Sequence, residues 1–154
     1  MKKLIMLGTG NAMVTKIFNT CFLIELPDGE LFMTDAGGGN GILRQMEQAE
    51  ADYSRIHHMF VTHGHTDHIL GVVWMIRKIA SLMNNGKYEG QLHIYCHDVV
   101  ADMLNTMCTM MLKKKDLANV SRDILIHEVK DGQVVELPQL KLTAFDIFST
   151  KAKQ

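Results

Sequence analysis

The chain has 154 residues, of which 47% are hydrophobic and 21% charged, the balance of a globular protein of about one domain. Its 16 basic and 17 acidic residues give a formal net charge of -1, which excludes a bulk polycation but not a local basic groove. The scattered cysteines Cys21, Cys96 and Cys108 argue against a disulfide framework and predict a reducing, cytoplasmic environment. No apolar run is long enough to span a membrane, and no targeting segment is recognised.

The first third of the chain predicts three strands and a helix. A short apolar run at 3–7 ends in Gly-Thr-Gly, which is typical of a strand followed by a tight loop. Residues 20–26 and 31–34 flank the turn Pro27-Asp28-Gly29 and predict a hairpin. Residues 40–50 show helical spacing, with Asn40 as a candidate cap.

The rest of the chain alternates helices with strands and predicts a mixed α/β class. A buried strand is expected at 58–62. A largely buried helix is expected from 67 or 68 to about 83, stopped by Asn84-Asn85-Gly86. A strand at 92–96 precedes a helix from 98 to about 115, with a lysine run at its carboxyl end. The last predicted strands are 124–129, 134–137 and 140–148. The helical spacing of four methionines predicts core packing: Met103, Met107, Met110 and Met111.

One short segment carries most of the chemistry, Thr62-His63-Gly64-His65-Thr66-Asp67-His68, at the junction of a predicted strand and helix. Neutral imidazole nitrogens bind zinc-type ions at about 2.0–2.1 Å, and carboxylate oxygens bind them at about 2.0–2.2 Å. The three cysteines are too scattered for the paired spacing of a zinc finger. The segment therefore predicts a metal site of the catalytic kind.

The spacing within the segment favours two ions. His63 and His65 are separated only by Gly64, so both rings can face one ion. Asp67 and His68 are adjacent and leave the chain in different directions, which suits a second ion beside the first. Two ions roughly 3.5–4 Å apart can clamp the attacking and leaving oxygens of a hydrolysis. The segment thus predicts a binuclear hydrolase site.

The pattern His63-x-His65-x-Asp67-His68 after an apolar strand resembles the signature of the metallo-β-lactamase superfamily. The segment LGTGNA at 7–12, the hairpin, and Thr34-Asp35-Ala36 followed by three glycines resemble the ribonuclease Z-like branch of that superfamily. The resemblance covers essentially the whole chain but only about the first half of a family member. Residues 1–154 are therefore expected to form the N-terminal part of a metallo-β-lactamase-like domain, without its second half.

The resemblance implies an α/β fold of the αββα sandwich type. It also implies two divalent metal ions, with zinc favoured and manganese or iron as alternatives. His63 and His65 would hold one ion, and Asp67 and His68 the other. A water or hydroxide bridging the ions would be the nucleophile, with Asp67 orienting it or acting as a base. Asp35 would orient a histidine ligand from behind. The implied substrate is a phosphodiester, with RNA as the best-known target of this branch, and a homodimer is plausible.

The chain also departs from the family pattern. The family adds a third histidine on the first metal, and a bridging aspartate and a late histidine that belong to the second half. Within residues 145–151, Phe148 stands where the third histidine is expected. At most four ligands are then present, which is an incomplete shell. The missing half should also leave sheet edges and an apolar face uncovered.

Three explanations of this departure stay open. The chain is a fragment or truncated gene product, which we favour, or it is completed by a second chain, or it is a degenerate relative. The functional hypotheses are correspondingly three. The first is a metal-dependent phosphodiesterase acting on RNA or a small phosphodiester. The second is a catalytically inactive half-domain that binds RNA or a partner chain, and the third is a lactone or thioester hydrolase of the same superfamily.

Histidines outside the segment are predicted to be structural. His57 and His58 lie before or within a strand, and His93 alternates with apolar residues, so it should face water or a hydrogen-bond partner. Nothing in its spacing supports His127 as a ligand.

Overall fold

The computed structural model describes residues 1–148, which form strands and helices in the order expected for a mixed α/β fold. The strands are β1 (Lys3–Gly8), β2 (Cys21–Glu25), β3 (Leu31–Thr34), β4 (Ile56–Phe60), β5 (Leu92–Cys96), β6 (Ile124–Glu128), β7 (Val134–Leu137) and β8 (Leu140–Thr143). The helices are α1 (Gly41–Gln48), α2 (Thr66–Asn84), α3 (Asp98–Met111) and the short α4 (Lys114–Leu117). A single 3-10 turn, Tyr53–Arg55, precedes β4.

Six strands form one sheet in the order β1-β2-β3-β4-β5-β6. The first three strands pair antiparallel to their neighbours, β1 with β2 and β2 with β3. From β3 to β6 the strands are parallel, and α1, α2 and α3 each cross over between two of them. The strands β7 and β8 form a separate two-stranded hairpin. Parallel strands joined by helices place their carboxyl ends at one edge of the sheet, and it is there that the histidine segment lies.

The main core lies between the sheet and the helices. Alternate strand residues such as Leu23, Met33 and Ile94 are fully buried in it, together with Ile42 of α1 and Leu104 of α3. The helix α2 packs against α1, α3 and α4, which explains its almost wholly apolar sequence. This confirms the prediction of a long, largely buried helix.

The opposite face of the sheet is covered only in part. The hairpin β7–β8 packs there through Leu137 and Leu142 against Phe60 and Tyr95. Farther along the sheet, at β1, the side chain of Leu4 is 60% exposed. The helix layer, the sheet and the first hairpin of a second sheet together make up about half of an αββα sandwich, as the fold prediction expected.

The predicted helix at 98–115 is wrong at its end. Leu112 and Lys113 adopt extended backbone angles, so α3 ends at Met111 and a separate turn of helix, α4, begins at Lys114. The break turns Asp116 and Asn119 inward, where they bond to Asn84 at the end of α2. The lysine run therefore begins α4 and does not end α3.

The predicted core face of α3 is also wrong in part. Met110 and Met111 are 79% and 64% exposed, whereas Met103 and Met107 pack only partly against the core. The buried stripe of α3 is formed by smaller neighbours instead: Val100, Ala101, Leu104 and Cys108. Helical spacing fits both stripes, so the sequence pattern alone does not identify which of them is buried.

The last predicted strand, 140–148, is too long. The strand β8 ends at Thr143, and Ala144 completes the pairing through Gly132 and Gln133. Beyond it, the carboxylates of Asp131 and Asp146 accept backbone N–H groups in place of a strand partner. At the start of α1, Asn40 occupies the predicted cap position, but its side chain makes no capping hydrogen bond.

His57, His58, His93 and His127, which lie outside the segment, make structural contacts, as predicted. His57 bonds to Glu30 at 2.5 Å and to the carbonyl of Glu89 at 2.9 Å. The rings of His58, His93 and His127 stack across β4, β5 and β6, and His93 Nδ1 lies 2.8 Å from His127 Nε2. We call these three residues the histidine stack. They lie on the sheet face that also carries the hairpin.

The histidine stack is expected to make the protein less stable as the pH falls from 7 toward 4. Burial and the charge of His93 lower the pKa of His58 to about 4, and burial also lowers the pKa of His93 and His127. Below pH 6.5 the unfolded chain takes up protons that the folded stack rejects, so the free energy of unfolding drops through this window. The three residues are only partly buried, so we expect a loss of about 1 kcal/mol after solvent screening.

Urea denaturation at pH 7, 6 and 5 measures this effect. The variant His93→Gln/His127→Gln should show a flatter dependence on pH than the wild type. His68, whose pKa is raised, acts in the opposite sense and is common to both proteins. Equal pH slopes for the two proteins would show that the stack is not the cause.

Within residues 1–148 no helix is both long and apolar enough to cross a membrane. The three cysteines are buried and unpaired. Burial raises their pKa values, most of all for Cys21 and Cys96.

Candidate metal centre

The histidine segment follows β4 and leads into α2. After Phe60, the N–H of Val61 still donates to the carbonyl of Tyr95 on β5. His65 is the residue before the first turn of α2, and Asp67 lies in that turn, where a negative charge suits the helix dipole. The segment is therefore held by a central strand on one side and a buried helix on the other.

The structure brings the four predicted ligands together. The ring of His63 lies 4.6 Å from that of His65 and 4.2 Å from that of His68, measured between centroids. His68 Nε2 is 3.2 Å from Asp67 Oδ2. His63 is buried, Asp67 and His68 are half-buried, and His65 is exposed. The four side chains therefore make one cluster, with His65 at its surface.

Asp35 lies directly behind this cluster. It follows β3, is only 4% exposed, and adopts a left-handed backbone conformation with φ 53°. Its carboxylate accepts hydrogen bonds from the backbone N–H of Thr62 at 2.8 Å and from the Thr62 hydroxyl at 2.7 Å. It also lies 2.8 Å from His68 Nδ1. One buried carboxylate thus ties the end of β3 to the segment and to α2.

These contacts determine where the histidine protons sit. The carboxylate of Asp35 only accepts, so His68 carries a proton on Nδ1. The single hydroxyl proton of Thr62 goes to Asp35, so His63 Nδ1, 2.9 Å from that hydroxyl, must donate to it. In the neutral form of each ring, the lone pair is therefore on Nε2. That is the arrangement in which an imidazole binds a metal through Nε2.

The pKa values of His63 and His68 are shifted in opposite directions. The hydrogen bond with Asp35 raises the pKa of His68, with a smaller contribution from Asp67. Burial lowers the pKa of His63, and the neighbouring His68 and His65 add to this effect. His63 therefore stays neutral at pH values where His68 begins to take up a proton.

Sequence reasoning missed the residues that set the backbone of the site. Gly71 of α2 donates to the carbonyl of Gly37 at 2.8 Å, and a Cβ on Gly71 would lie 1.8 Å from the carbonyl oxygen of Ala36. The side chain of Asn19 accepts from the N–H of Gly38 at 3.1 Å. From the sequence, Thr62 is recognisable only as part of the histidine segment. A glycine one turn after His68, in an otherwise bulky helix, was the available signal.

A fourth histidine lies at the same edge of the sheet. His97 follows β5, beside the strand that carries the segment. Both of its ring nitrogens are buried without a hydrogen-bond partner in the part of the chain that the structure describes. An imidazole in this position needs a water or a ligand to satisfy it.

The donor set fits a divalent ion in kind but does not form a closed shell. Two donors at about 2.0–2.2 Å from one ion lie roughly 3–3.5 Å apart. The 3.2 Å between Asp67 Oδ2 and His68 Nε2 matches such a pair. Across residues 1–148, however, no group of three or more His, Cys, Asp or Glu side chains is arranged to hold an ion. Further ligands are needed to complete the shell.

Phe148 lies away from the buried part of the protein. It is 82% exposed, with φ 53°, and its N–H donates to Asp146. Its assignment to the place of the third histidine stays a prediction. The remaining residues of that alignment, Ser149, Thr150 and Lys151, lie outside the described residues.

Two sequence comparisons bear on the site. A family model described as "Anti-Pycsar protein Apyc1" matches residues 2–154. The ribonuclease Z of Methanothermobacter thermautotrophicus is 34% identical over 145 residues, which cover 94% of this chain and 43% of that protein. The chain thus spans less than half the length of the curated relatives that it matches.

Solved structures show the same fold. The short form of human tRNase Z superposes with a TM-score of 0.63 at 22% identity, covering 83% of this chain and 44% of that one. A metallo-β-lactamase fold protein from Bacillus subtilis superposes with a TM-score of 0.64 at 17% identity, covering 89% and 50%.

Proposed function

Since the chain belongs to the Anti-Pycsar protein Apyc1 family and has the metallo-β-lactamase fold of ribonuclease Z, we propose that it supplies the ligand-bearing half of a metal-dependent phosphodiester hydrolase. One observation carries the proposal. The four side chains of the segment converge at the sheet edge, with a buried carboxylate behind them. A purely structural cluster would not need Asp35 to fix the proton of His68 on Nδ1.

In this proposal His63 and His65 hold one divalent ion, and Asp67 and His68 hold a second. When bound, such ions polarise a phosphoryl oxygen and lower the pKa of water, and zinc is favoured by the imidazole-rich donor set. Thr62 holds the proton of His63 on Nδ1, and Asp35 does the same for His68. Asp67 accepts a proton from the attacking water or orients it.

The incomplete shell requires ligands from outside residues 1–148. The relatives are more than twice as long as this chain, so their second half is the natural source. We propose that the ligands come from the remainder of a longer protein, from a second copy in a homodimer, or from a complementing chain. The N-terminal half then provides the fixed part of the site.

The substrate class is a phosphodiester. The relatives carry the name ribonuclease Z, which favours RNA, and a small phosphodiester is the alternative. A lactone or thioester would place its carbonyl at the same pair of ions. Bis(p-nitrophenyl) phosphate and a p-nitrophenyl ester separate these two bond types directly.

A second candidate function rests on the same incomplete shell. With no group of three ligands in the described part of the chain, the protein would be an inactive half-domain that binds RNA or a partner. Elemental analysis of the purified protein discriminates between the two. About two ions per chain supports the hydrolase, and none supports the binding half-domain.

The variant His65→Ala tests the site assignment. We expect it to lose bound metal and metal-dependent hydrolysis of bis(p-nitrophenyl) phosphate, because His65 is an exposed side chain with little structural role. His57→Gln is the matched control, since it removes a histidine outside the cluster and should leave both unchanged. Hydrolysis that survives in His65→Ala would refute the assignment.

A further inference from the structure

A cavity of about 580 Å³ lies beside the site, between the loop after β1 and the helix α1. Its volume is in the range of small-molecule sites, roughly 300–1,000 Å³. Lys16 lines it from the loop, and Arg44 lines it from the helix. The cavity is separate from the four clustered side chains of the candidate metal centre.

The charged side chains that line this cavity are all basic within the described residues. Lys16 and Arg44 are both exposed, and within residues 1–148 neither of them forms an ion pair. No acidic side chain of the described residues lines the cavity. Two cations that face one cavity without a partner favour an anion, and the guanidinium fork matches the oxygens of a phosphate.

The cavity also presents a fixed aromatic ring. Phe18 lines it, and the ring is seated against two glycines: a Cβ on Gly37 would come within 2.4 Å of the ring and a Cβ on Gly41 within 2.7 Å. A ring held in this way loses little freedom on binding, and nucleobases stack well on such rings. The side-chain amides of Gln45 and Gln48 add donors and acceptors at the same wall.

The position of the cavity connects it to the candidate metal centre. Asn19, next to Phe18, accepts from the N–H of Gly38. A Cβ on Gly38 would lie 3.6 Å from Cα of Asp67. The loop after β1 therefore touches the cavity on one side and the glycine loop beside Asp67 on the other.

We propose that this cavity binds a nucleoside phosphate, with the phosphate at Lys16 and Arg44 and the base against Phe18. The source is either a nucleotide of an RNA strand next to the cleaved bond or a free mononucleotide. Its role as a substrate subsite rests on the phosphodiesterase function proposed above. The binding itself does not.

Fluorescence anisotropy with a labelled single-stranded RNA hexamer tests the proposal on the full chain. A chelator in the buffer removes hydrolysis and metal bridging from the measurement. The variant Lys16→Gln/Arg44→Gln is compared with Lys114→Gln/Lys115→Gln, which removes two exposed charges from α4, away from the cavity. All proteins are first checked for equal thermal unfolding midpoints.

We expect Lys16→Gln/Arg44→Gln to bind the hexamer at least tenfold more weakly than the wild type. The slope of log affinity against log salt should fall by about 1.4, for two phosphate contacts. The α4 variant should bind within twofold of the wild type. Competition by adenosine monophosphate would assign the cavity to a single nucleotide, and competition by unlabelled RNA alone would assign it to a strand.

The proposal is overturned if the wild type binds neither RNA nor mononucleotide, or if the two double variants weaken binding equally. Neither outcome bears on metal-dependent hydrolysis of bis(p-nitrophenyl) phosphate, which lacks a nucleobase. Conversely, RNA binding in chelator would stand even if no hydrolysis were found. The two proposals therefore fail independently.

Discussion

Replacing Gly71 by alanine is expected to destabilise the protein by more than about 4 kcal/mol, or to prevent folding. The added Cβ would lie 1.8 Å from the carbonyl oxygen of Ala36 and 2.5 Å from its carbonyl carbon. Both are backbone atoms that cannot move aside, because Ala36 also donates to the carbonyl of His68 at 3.1 Å. Ordinary overpacking costs about 1–3 kcal/mol, and a clash with fixed backbone exceeds that range.

Chemical denaturation, or the yield of folded protein, measures this effect. The matched control is Gly86→Ala, at the end of the same helix. No atom lies within 4 Å of a Cβ at that position, but φ is +66°, so the expected cost is about 1 kcal/mol from strain alone. A stability of Gly71→Ala within 1 kcal/mol of the wild type would show that α2 and the glycine loop are not in fixed contact.

The same contact links stability to the site. Gly71 lies one turn after His68, and the glycine loop that it touches follows Asp35 directly. The close approach of α2 to this loop is therefore what brings Asp35 and His68 within hydrogen-bond distance. A side chain at position 71 would separate the carboxylate from the ring that it orients.

Much of the fold follows from local patterns. The hairpin β2–β3 was predicted because β-branched and apolar residues flank a Pro-Asp-Gly turn. The helix α2 was predicted because its apolar run is too long for a strand. In both cases the local preference and the packing of the finished fold favour the same structure, which is when sequence reasoning succeeds.

The errors arise where tertiary contacts decide. The helix α3 ends at Met111 because Asp116 and Asn119 find a partner in Asn84 of α2, 32 and 35 positions earlier in the chain. The choice of its buried stripe depends on which face meets the sheet, and apolar residues on two adjacent stripes leave that undecided. The periodicity of residues within one helix does not show which other element the helix packs against.

In the candidate site, too, the local features were predictable from the sequence and the tertiary contacts were not. Clustering of the four segment residues was expected from their spacing alone. The family resemblance implied only that Asp35 orients a histidine ligand. That this ligand is His68, 33 positions away, is decided by the fold. The sequence does not indicate the roles of Thr62, Gly71 and Asn19. Each of them contacts residues that are distant in sequence and that only folding brings close.

Replacing Asp35 by alanine is expected to cost about 3 kcal/mol of stability and to weaken zinc binding by 10- to 100-fold. The change leaves the N–H and the hydroxyl of Thr62 without their acceptor and His68 without its partner, and each unsatisfied buried group costs about 1–3 kcal/mol. The substitution does not relieve the left-handed backbone strain at this position, because alanine tolerates that conformation no better than aspartate. Loss of a carboxylate behind a histidine ligand typically costs 10- to 100-fold in metal affinity.

The variant Asp35→Asn separates packing from proton placement. Its amide oxygen can still accept from the N–H of Thr62, so part of the stability should return. Its NH₂ group faces the Thr62 hydroxyl and His68, where it donates and so favours the proton of His68 on Nε2, the nitrogen that a metal needs. Zinc affinity by competition titration and the histidine tautomer by ¹⁵N NMR should therefore stay altered in this variant. Asp52→Asn, an exposed carboxylate that also accepts a local backbone N–H, is the control and should change neither. Wild-type zinc affinity in Asp35→Asn would mean that Asp35 supports only the backbone and does not orient His68.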